Sequence, residues 1–257
     1  MKVLFIGDIV GKTGRSAVSA HLPFLKAKYA IDFTIANGEN SAHGKGITER
    51  IYSELLGLGI DVVTLGNHAF SKSDVYQFID RAPRLVRPIN LNPTNIGQGF
   101  VDVTIKGVTF RVINLCGSVF MDNIAENPFI AMQALVESSK SKAVIVDLHA
   151  EATSEKAAFF QMFKSNCSAV LGTHTHVQTA DEQIKEGCAF ISDVGMTGPF
   201  DSIIGRDIQE VLNRFKGVIS KNFTVAEGEA VFSAVVLTID EKSLRTSSIE
   251  RVQFRPE

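Results

Sequence analysis

Asp8, Glu39-Asn40, Asn67-His68, His149 and the pair His174 and His176 each follow a short apolar run, and together they hold four of the six histidines of this 257-residue chain. Carboxylate, amide oxygen and imidazole are donors for borderline divalent metals. The mixture suits iron or manganese, accommodates zinc, and argues against an all-oxygen calcium or magnesium site. The most specific local piece is His174-Thr175-His176. Alternation along an extended segment turns both imidazoles to one face, as a shared metal requires.

Each residue also has a simpler use. Asp8 after Gly7 can cap the following helix, and Glu39 between Gly38 and Asn40 can be a solvated turn residue. Asn67 can form a turn with His68 flanking a helix start, and His149 between Asp147 and Glu151 can join an exposed charge cluster. Their joint placement favours a metal site, because open α/β sheets bind ligands outside the carboxyl ends of their strands. His21 falls in a helical pattern and is expected at the surface or partly packed. His43, in the glycine-rich "NSAHGKGIT", is a candidate substrate contact or an ordinary loop residue.

The stretch "VLFIGDIVGKTGR" tempts a phosphate-loop reading and fails it. Gly11-Lys12-Thr13 needs a glycine at position 6, where Ile6 stands, and Asp8 inside the loop would repel the anion. The stretch reads instead as a strand delivering Asp8, with Gly-Lys-Thr opening the next helix.

The elements that must position these groups follow from periodicity. "KVLFIGD", "DFTIANGEN" and "DVVTLGNH" read as buried strands, separated by helical patterns in "GRSAVSAHLPFLKAKY" and "TERIYSELLGLG". Pro23 predicts a bend or break in the first helix. Repeated strand, helix, strand predicts a largely parallel sheet with right-handed crossovers. "GFVDVTIKGVTFRVINL" alternates with period two and reads as a hairpin turning at Lys106-Gly107. A helical stretch near Pro128 to Lys140 precedes the strands "KAVIVDLHAE", "SAVLGTHTH" and "CAFISDVGM", and a second hairpin turns at Glu241-Lys242. The expected fold is α/β, with two packed mixed β-sheets flanked by helices in one domain over residues 1–257, since no repeat, linker or low-complexity tract interrupts the chain.

The composition is 45% hydrophobic and 21% charged with a net charge of -2, so no basic excess favours a nucleic-acid duplex as main partner. A small or single-stranded substrate remains compatible. The first apolar run is too short for a signal peptide, and no segment approaches the ~20 apolar residues that span a bilayer. Cys116, Cys167 and Cys188 lie far apart, which predicts reduced, mostly buried thiols in a cytoplasmic protein without a membrane partner.

At these residues a family resemblance emerges. "GD", "GNH", an isolated His and "GTHTH" resemble the metallophosphoesterase pattern of a leading Asp, Gly-Asn-His, a single His and Gly-His-x-His. Two departures stand out. The usual Asp-x-His is Asp8-Ile9-Val10, and Glu39 of "NGEN" replaces the bridging Asp. With "GDIVGKTGR", "AHGKGIT" and "GTHTHVQTAD", these departures resemble the bacterial YmdB-like branch of the calcineurin-like phosphoesterases. The resemblance implies a four-layer α/β/β/α fold, two metal ions and hydrolysis of phosphodiesters, with 2′,3′-cyclic nucleotides as the substrate class. It implies one metal on Asp8, Glu39 and His176, with Asn40 replacing the missing histidine, and a second on Glu39, Asn67, His149 and His174. Glu39 can bridge because one carboxylate offers two oxygens, holding ions at the ~3.5–4 Å typical of two-metal hydrolases. His68 is left free to assist the leaving group.

Two other function classes compete. A serine esterase with a Gly-Asp-Ser block fails because Ile9 stands where the nucleophile belongs. A metal-containing regulatory protein that binds a nucleotide or RNA with little turnover fits the same residues. An RNA-related substrate and a homo-oligomer are both compatible with the sequence.

Overall fold

The apolar runs fold into strands and the 3.6-periodic stretches into helices. The structure, a computed structural model, describes residues 1–218 and 224–256. The first half runs β1 (Lys2–Ile6), β2 (Asp8–Ile9), α1 (Gly11–Tyr29), β3 (Phe33–Asn37), α2 (Glu49–Gly57), β4 (Val62–Thr64), α3 (Val75–Phe78), β5 (Leu85–Val86), β6 (Phe100–Ile105) and β7 (Val108–Cys116). The second half continues α4 (Pro128–Leu135), β8 (Ala143–His149), α5 (Thr153–Phe163), β9 (Ala169–Thr173), β10 (Gln183–Lys185), β11 (Cys188–Ile191), β12 (Met196–Pro199), α6 (Ile208–Phe215), β13 (Ala230–Ile239) and β14 (Thr246–Phe254).

Two mixed sheets result. An eight-stranded sheet has the order β2-β12-β13-β1-β3-β4-β5 with β14 added on β13, and a six-stranded sheet has the order β10-β11-β9-β8-β7-β6. As the crossover pattern predicts, β1, β3, β4 and β5 run parallel. Both expected hairpins form as antiparallel pairs, β6 with β7 and β13 with β14. Lys106 and Gly107 turn the first at φ 47° and 85°, the left-handed pair that a two-residue turn between right-twisted strands requires.

Alternation of side chains sorts the core into three seams. Leu4, Ile6, Ala36 and Val63 face Val18, Leu22 and Leu25 of α1 and Ile51 and Leu55 of α2. Val3, Phe5, Phe33 and Ile35 face Phe110, Val112, Ile145 and Leu171 across the gap between sheets. Val144, Val146 and Leu148 pack on Phe159, Phe160 and Phe163 of α5. The order is therefore helix, sheet, sheet, helix, as expected. One local expectation is corrected: α1 continues unbroken through Pro23. Ring placement costs one backbone hydrogen bond, and the buried residues Leu22 and Leu25 on either side hold the turn against the sheet.

The cysteines behave as expected. Cys116, Cys167 and Cys188 are buried free thiols, and burial pushes Cys188 up to about 12. No helix among the described residues is long and apolar enough to cross a membrane.

Candidate metal centre

The strands of both sheets end at one rim. In the first sheet, Asp8 follows β1, Glu39 and Asn40 follow β3, and Asn67 and His68 follow β4. In the second, His149 ends β8 in register with Thr173, the last residue of β9, and His174 follows.

His149 organises the second-sheet side. It is fully buried, and its Nδ1 lies 2.9 Å from Thr173 Oγ1. That hydroxyl donates to Asp147 Oδ1 at 2.7 Å, so it accepts from the ring N–H and leaves the Nε2 lone pair facing the centre. Around Nε2 lie His174 Nδ1 at 3.0 Å, Asn67 Oδ1 at 3.1 Å and Glu39 Oε1 at 3.2 Å. Glu39, His149 and His174 bring their donor atoms within 4.8 Å of one another. Gly66 makes this approach feasible, because a Cβ there would collide with Glu39 Oε2 and the His149 ring.

The first-sheet side holds the other donors. Asp8 Oδ2 accepts from the His174 amide at 3.2 Å. Its Oδ1 is a buried oxygen without a hydrogen-bond partner, 3.8 Å from both His149 Nδ1 and His176 Nε2. Asn40 Nδ2 lies 3.0 Å from Glu39 Oε1 and 3.1 Å from His176 Nε2. Half a turn of the amide offers its oxygen to the same point. His176 Nδ1 donates to the Ile204 carbonyl at 2.9 Å, which aims Nε2 inward. His68 donates its backbone N–H to Glu39 Oε2 at 3.0 Å, and its side chain lines the cavity with Glu39, Asn40, His174 and His176.

The electrostatics favour positive charge at this point. Burial pushes the Asp8 carboxyl up to about 6 against the pull of His176 and His149. Burial opposes ionisation of Glu39 too, but His149 beside it wins and holds that carboxyl far below its usual range. Burial would neutralise His149, yet Glu39 raises it to about 9. His174, penalised by burial and by its neighbour His149, falls to about 3. The orphaned oxygen of buried Asp8 and the crowding of Glu39, Asn67 and His174 donor atoms around His149 Nε2 fit a cation, which would take the place of the proton that Glu39 otherwise holds on His149.

Asn67 and His68 do lie in a turn, closed by the Ala69 amide on the Gly66 carbonyl at 3.0 Å, but the other local alternatives fail. Asp8 caps no helix, since the residue preceding α1 is Val10 and no side chain caps it. Glu39, Asp147 and His149 are buried, so neither a solvated turn nor an exposed cluster describes them. One expectation about geometry is corrected. His174 and His176 lie beyond β9 with φ of 101° and 66°, so a left-handed turn presents their rings, not strand alternation. His43 is exposed in its loop with φ 56° and does not line the cavity. His21 stacks on Phe254 at 4.6 Å between ring centres and does not line the cavity.

Several groups that support the centre carry no metal-type pattern in the sequence. Asp147 accepts from Thr173 and Thr64 hydroxyls and from Asn37 Nδ2; a lone carboxylate inside the apolar "AVIVDLH" was the available signal. Lys156 and Asp193, both buried, pair at 3.1 Å beneath the His174–His176 turn. Arg206 lines the cavity, and Glu151 Oε2 meets His174 Nε2 at 3.0 Å.

Comparison with known proteins adds a family and relatives. A family model described as YmdB-like protein matches residues 4–252. A 2′,3′-cyclic-nucleotide 2′-phosphodiesterase of Bacillus subtilis (strain 168) is 46% identical over 255 residues, covering 98% of this chain and 96% of its own. Among solved structures, a hypothetical protein from Thermus thermophilus aligns with a TM-score of 0.92 at 40% identity, covering 99% of each chain. A phosphatase from Mycoplasma pneumoniae aligns with a TM-score of 0.94 at 36% identity, covering 99% of this chain and 93% of that one.

Proposed function

The chain belongs to the YmdB-like family of metallophosphoesterases, and from that premise we propose that it is a metal-dependent phosphodiesterase that opens 2′,3′-cyclic nucleotides. One observation carries the reading: three donor atoms lie 3.0 to 3.2 Å from His149 Nε2, beside the partnerless Asp8 Oδ1. One ion is assigned to Asp8, Glu39, Asn40 and His176. Glu39, Asn67, His149 and His174 would hold the other.

Two divalent transition-metal ions there, iron or manganese with zinc as the alternative, supply Lewis acidity toward phosphoryl oxygens and lower the pKa of water toward neutrality. The remaining work falls to the chain. Asp8 and Glu39 carry the negative charge that retains the cations, and Thr173 holds His149 in the tautomer with Nε2 free. Water attack on phosphorus would form a new P–O bond as the P–O2′ bond breaks, giving a 3′-nucleotide, with the water's proton released to solvent, from which His68 regains the one it donates. His68, next to ligand Asn67, gives the O2′ alkoxide its proton. Residues 1–257 act as one unit on this reading, because donors from both sheets must meet. Buried free thiols suit a reducing, cytoplasmic compartment.

The test is hydrolysis of 2′,3′-cyclic AMP by purified protein with added Mn²⁺, beside a chelator control and Glu39→Gln. Metal-dependent turnover that disappears in Glu39→Gln supports the reading. Absence of turnover in protein verified to hold two metals would sink it.

A further inference from the structure

The cavity lined by Glu39, Asn40, His68, His174, His176 and Arg206 measures about 240 Å³. Pockets that enclose whole small ligands span roughly 300–1,000 Å³. A cleft of this size suits the phosphoryl end of a nucleotide, leaving the base to extend beyond it. A second cavity of about 600 Å³ adjoins it, sharing Ile204 and Arg206 and lined otherwise by Ile203, Val211, Arg214 and Phe215.

The wall between the two cavities is built in. The Ile204 carbonyl accepts from His176, so the turn bearing Arg206 is tied to the centre. Arg206 Nη2 donates to the Gly44 carbonyl at 2.5 Å, which anchors the guanidinium to the loop after β3. On the far side, Asp207 caps α6 by accepting from the Glu210 amide at 2.9 Å. The helix then presents Phe215, 86% exposed, beside Ile204, 50% exposed. With Ile208 and Leu212 also exposed on α6, these side chains form a contiguous apolar patch among the described residues, the kind of surface that marks a binding site.

We propose that this second cavity is the nucleoside subsite, with the base against Phe215 and Ile204 and Arg206 meeting the phosphoryl group at the seam. The proposal rests on the reading above that the substrate is a cyclic nucleotide. A planar fork of donors matches phosphate oxygens, and an aromatic face accepts any base, since every base has a π-face. The apolar wall thus begins where the charged ligand must end. A second copy of the chain covering α6 would need neither a guanidinium at the seam nor an opening onto the metal centre.

The experiment is calorimetric titration of the Mn²⁺-loaded protein with adenosine 3′-phosphate and with inorganic phosphate, using wild type, Phe215→Ala and Arg206→Met. Sedimentation is measured alongside. Wild type is expected to bind adenosine 3′-phosphate at least about tenfold more tightly than phosphate. Phe215→Ala should remove most of that advantage and leave phosphate affinity unchanged. Arg206→Met should weaken both ligands by about tenfold. Unchanged adenosine 3′-phosphate affinity in Phe215→Ala would overturn the subsite, and doubly so if only the sedimentation shifts. Two outcomes separate this inference from its premise. Intact turnover of 2′,3′-cyclic AMP with unchanged Phe215→Ala affinity removes the subsite alone. A base-dependent affinity in a protein that turns nothing over removes the hydrolytic reading alone.

Discussion

Around His149 Nε2, donor atoms of Glu39, Asn67 and His174 lie within 3.2 Å, and the histidines of the rim are held from behind. Thr173, itself bonded to Asp147, fixes His149; Glu151 meets the outer nitrogen of His174; the Ile204 carbonyl holds His176. His68 is different, since its contact with the cluster is through its backbone amide. His68→Ala is therefore expected to keep its metal, measured by elemental analysis, while losing about 10²–10⁴-fold in kcat. Metal loss matching the activity loss would contradict a proton-donating role. The convergence of the metal-type residues was legible in the sequence because each lies at or just past the end of an apolar strand, which is where a sheet presents ligands. Arg206, Lys156 and Asp193 were not, because they reach the centre from loops and a helix that no periodicity connects to it.

At the level of elements, the turn after β9 is the piece that sequence alternation misjudged. Two histidines with positive φ need outside support, and it comes from Asp193. Its Oδ2 accepts from the Thr175 amide at 2.9 Å and hydroxyl at 2.8 Å, and its Oδ1 accepts from the Gly195 amide at 2.8 Å. Lys156 of α5 neutralises it and also donates to the Thr173 carbonyl at 2.8 Å. Asp193→Ala should cost about 3–5 kcal/mol in chemical denaturation, because it leaves a buried ammonium without its partner. Lys156→Met combined with Asp193→Leu should cost less than Asp193→Ala alone. A second pair acts on the β6–β7 hairpin. The Arg111 guanidinium, with Lys142 adding to it against a smaller burial penalty, holds Asp102 down to about 2. A depressed carboxyl contributes stability that is complete above its unfolded value near 4 and fades as pH falls toward about 2. With Asp102 one-third exposed, solvent screening limits this to about 1 kcal/mol. The stability gap between wild type and Asp102→Asn should be constant from pH 7 to 5 and close below pH 4. The hairpin itself was legible from its period-two pattern and Lys106-Gly107, whereas its partner at Lys142 came only with the pairing of β7 and β8.

Across the whole molecule, the two sheets meet over Phe5, Phe33, Phe110 and Leu171, and the proposed ligands come from both. Metal binding should therefore act as a clasp between halves. At Mn²⁺ about 100-fold above Kd, the folded state should gain about 2.7 kcal/mol, seen as a raised Tm that a chelator reverses. No Mn²⁺-dependent shift would mean that the rim holds no such site. The alternation of strands and helices and both hairpins could be read from the chain. The strand order could not, because β12, β13 and β14 return from the far end of the sequence to pair beside β1 and β2, and nothing local announces such long-range pairing. The most direct measurement is anomalous diffraction at the manganese edge from crystals grown with Mn²⁺. Two peaks about 3.5–4 Å apart, one between Asp8, Asn40 and His176 and one between Asn67, His149 and His174, with Glu39 touching both, is the expected result. A single peak, or peaks away from this rim, would contradict the two-metal account.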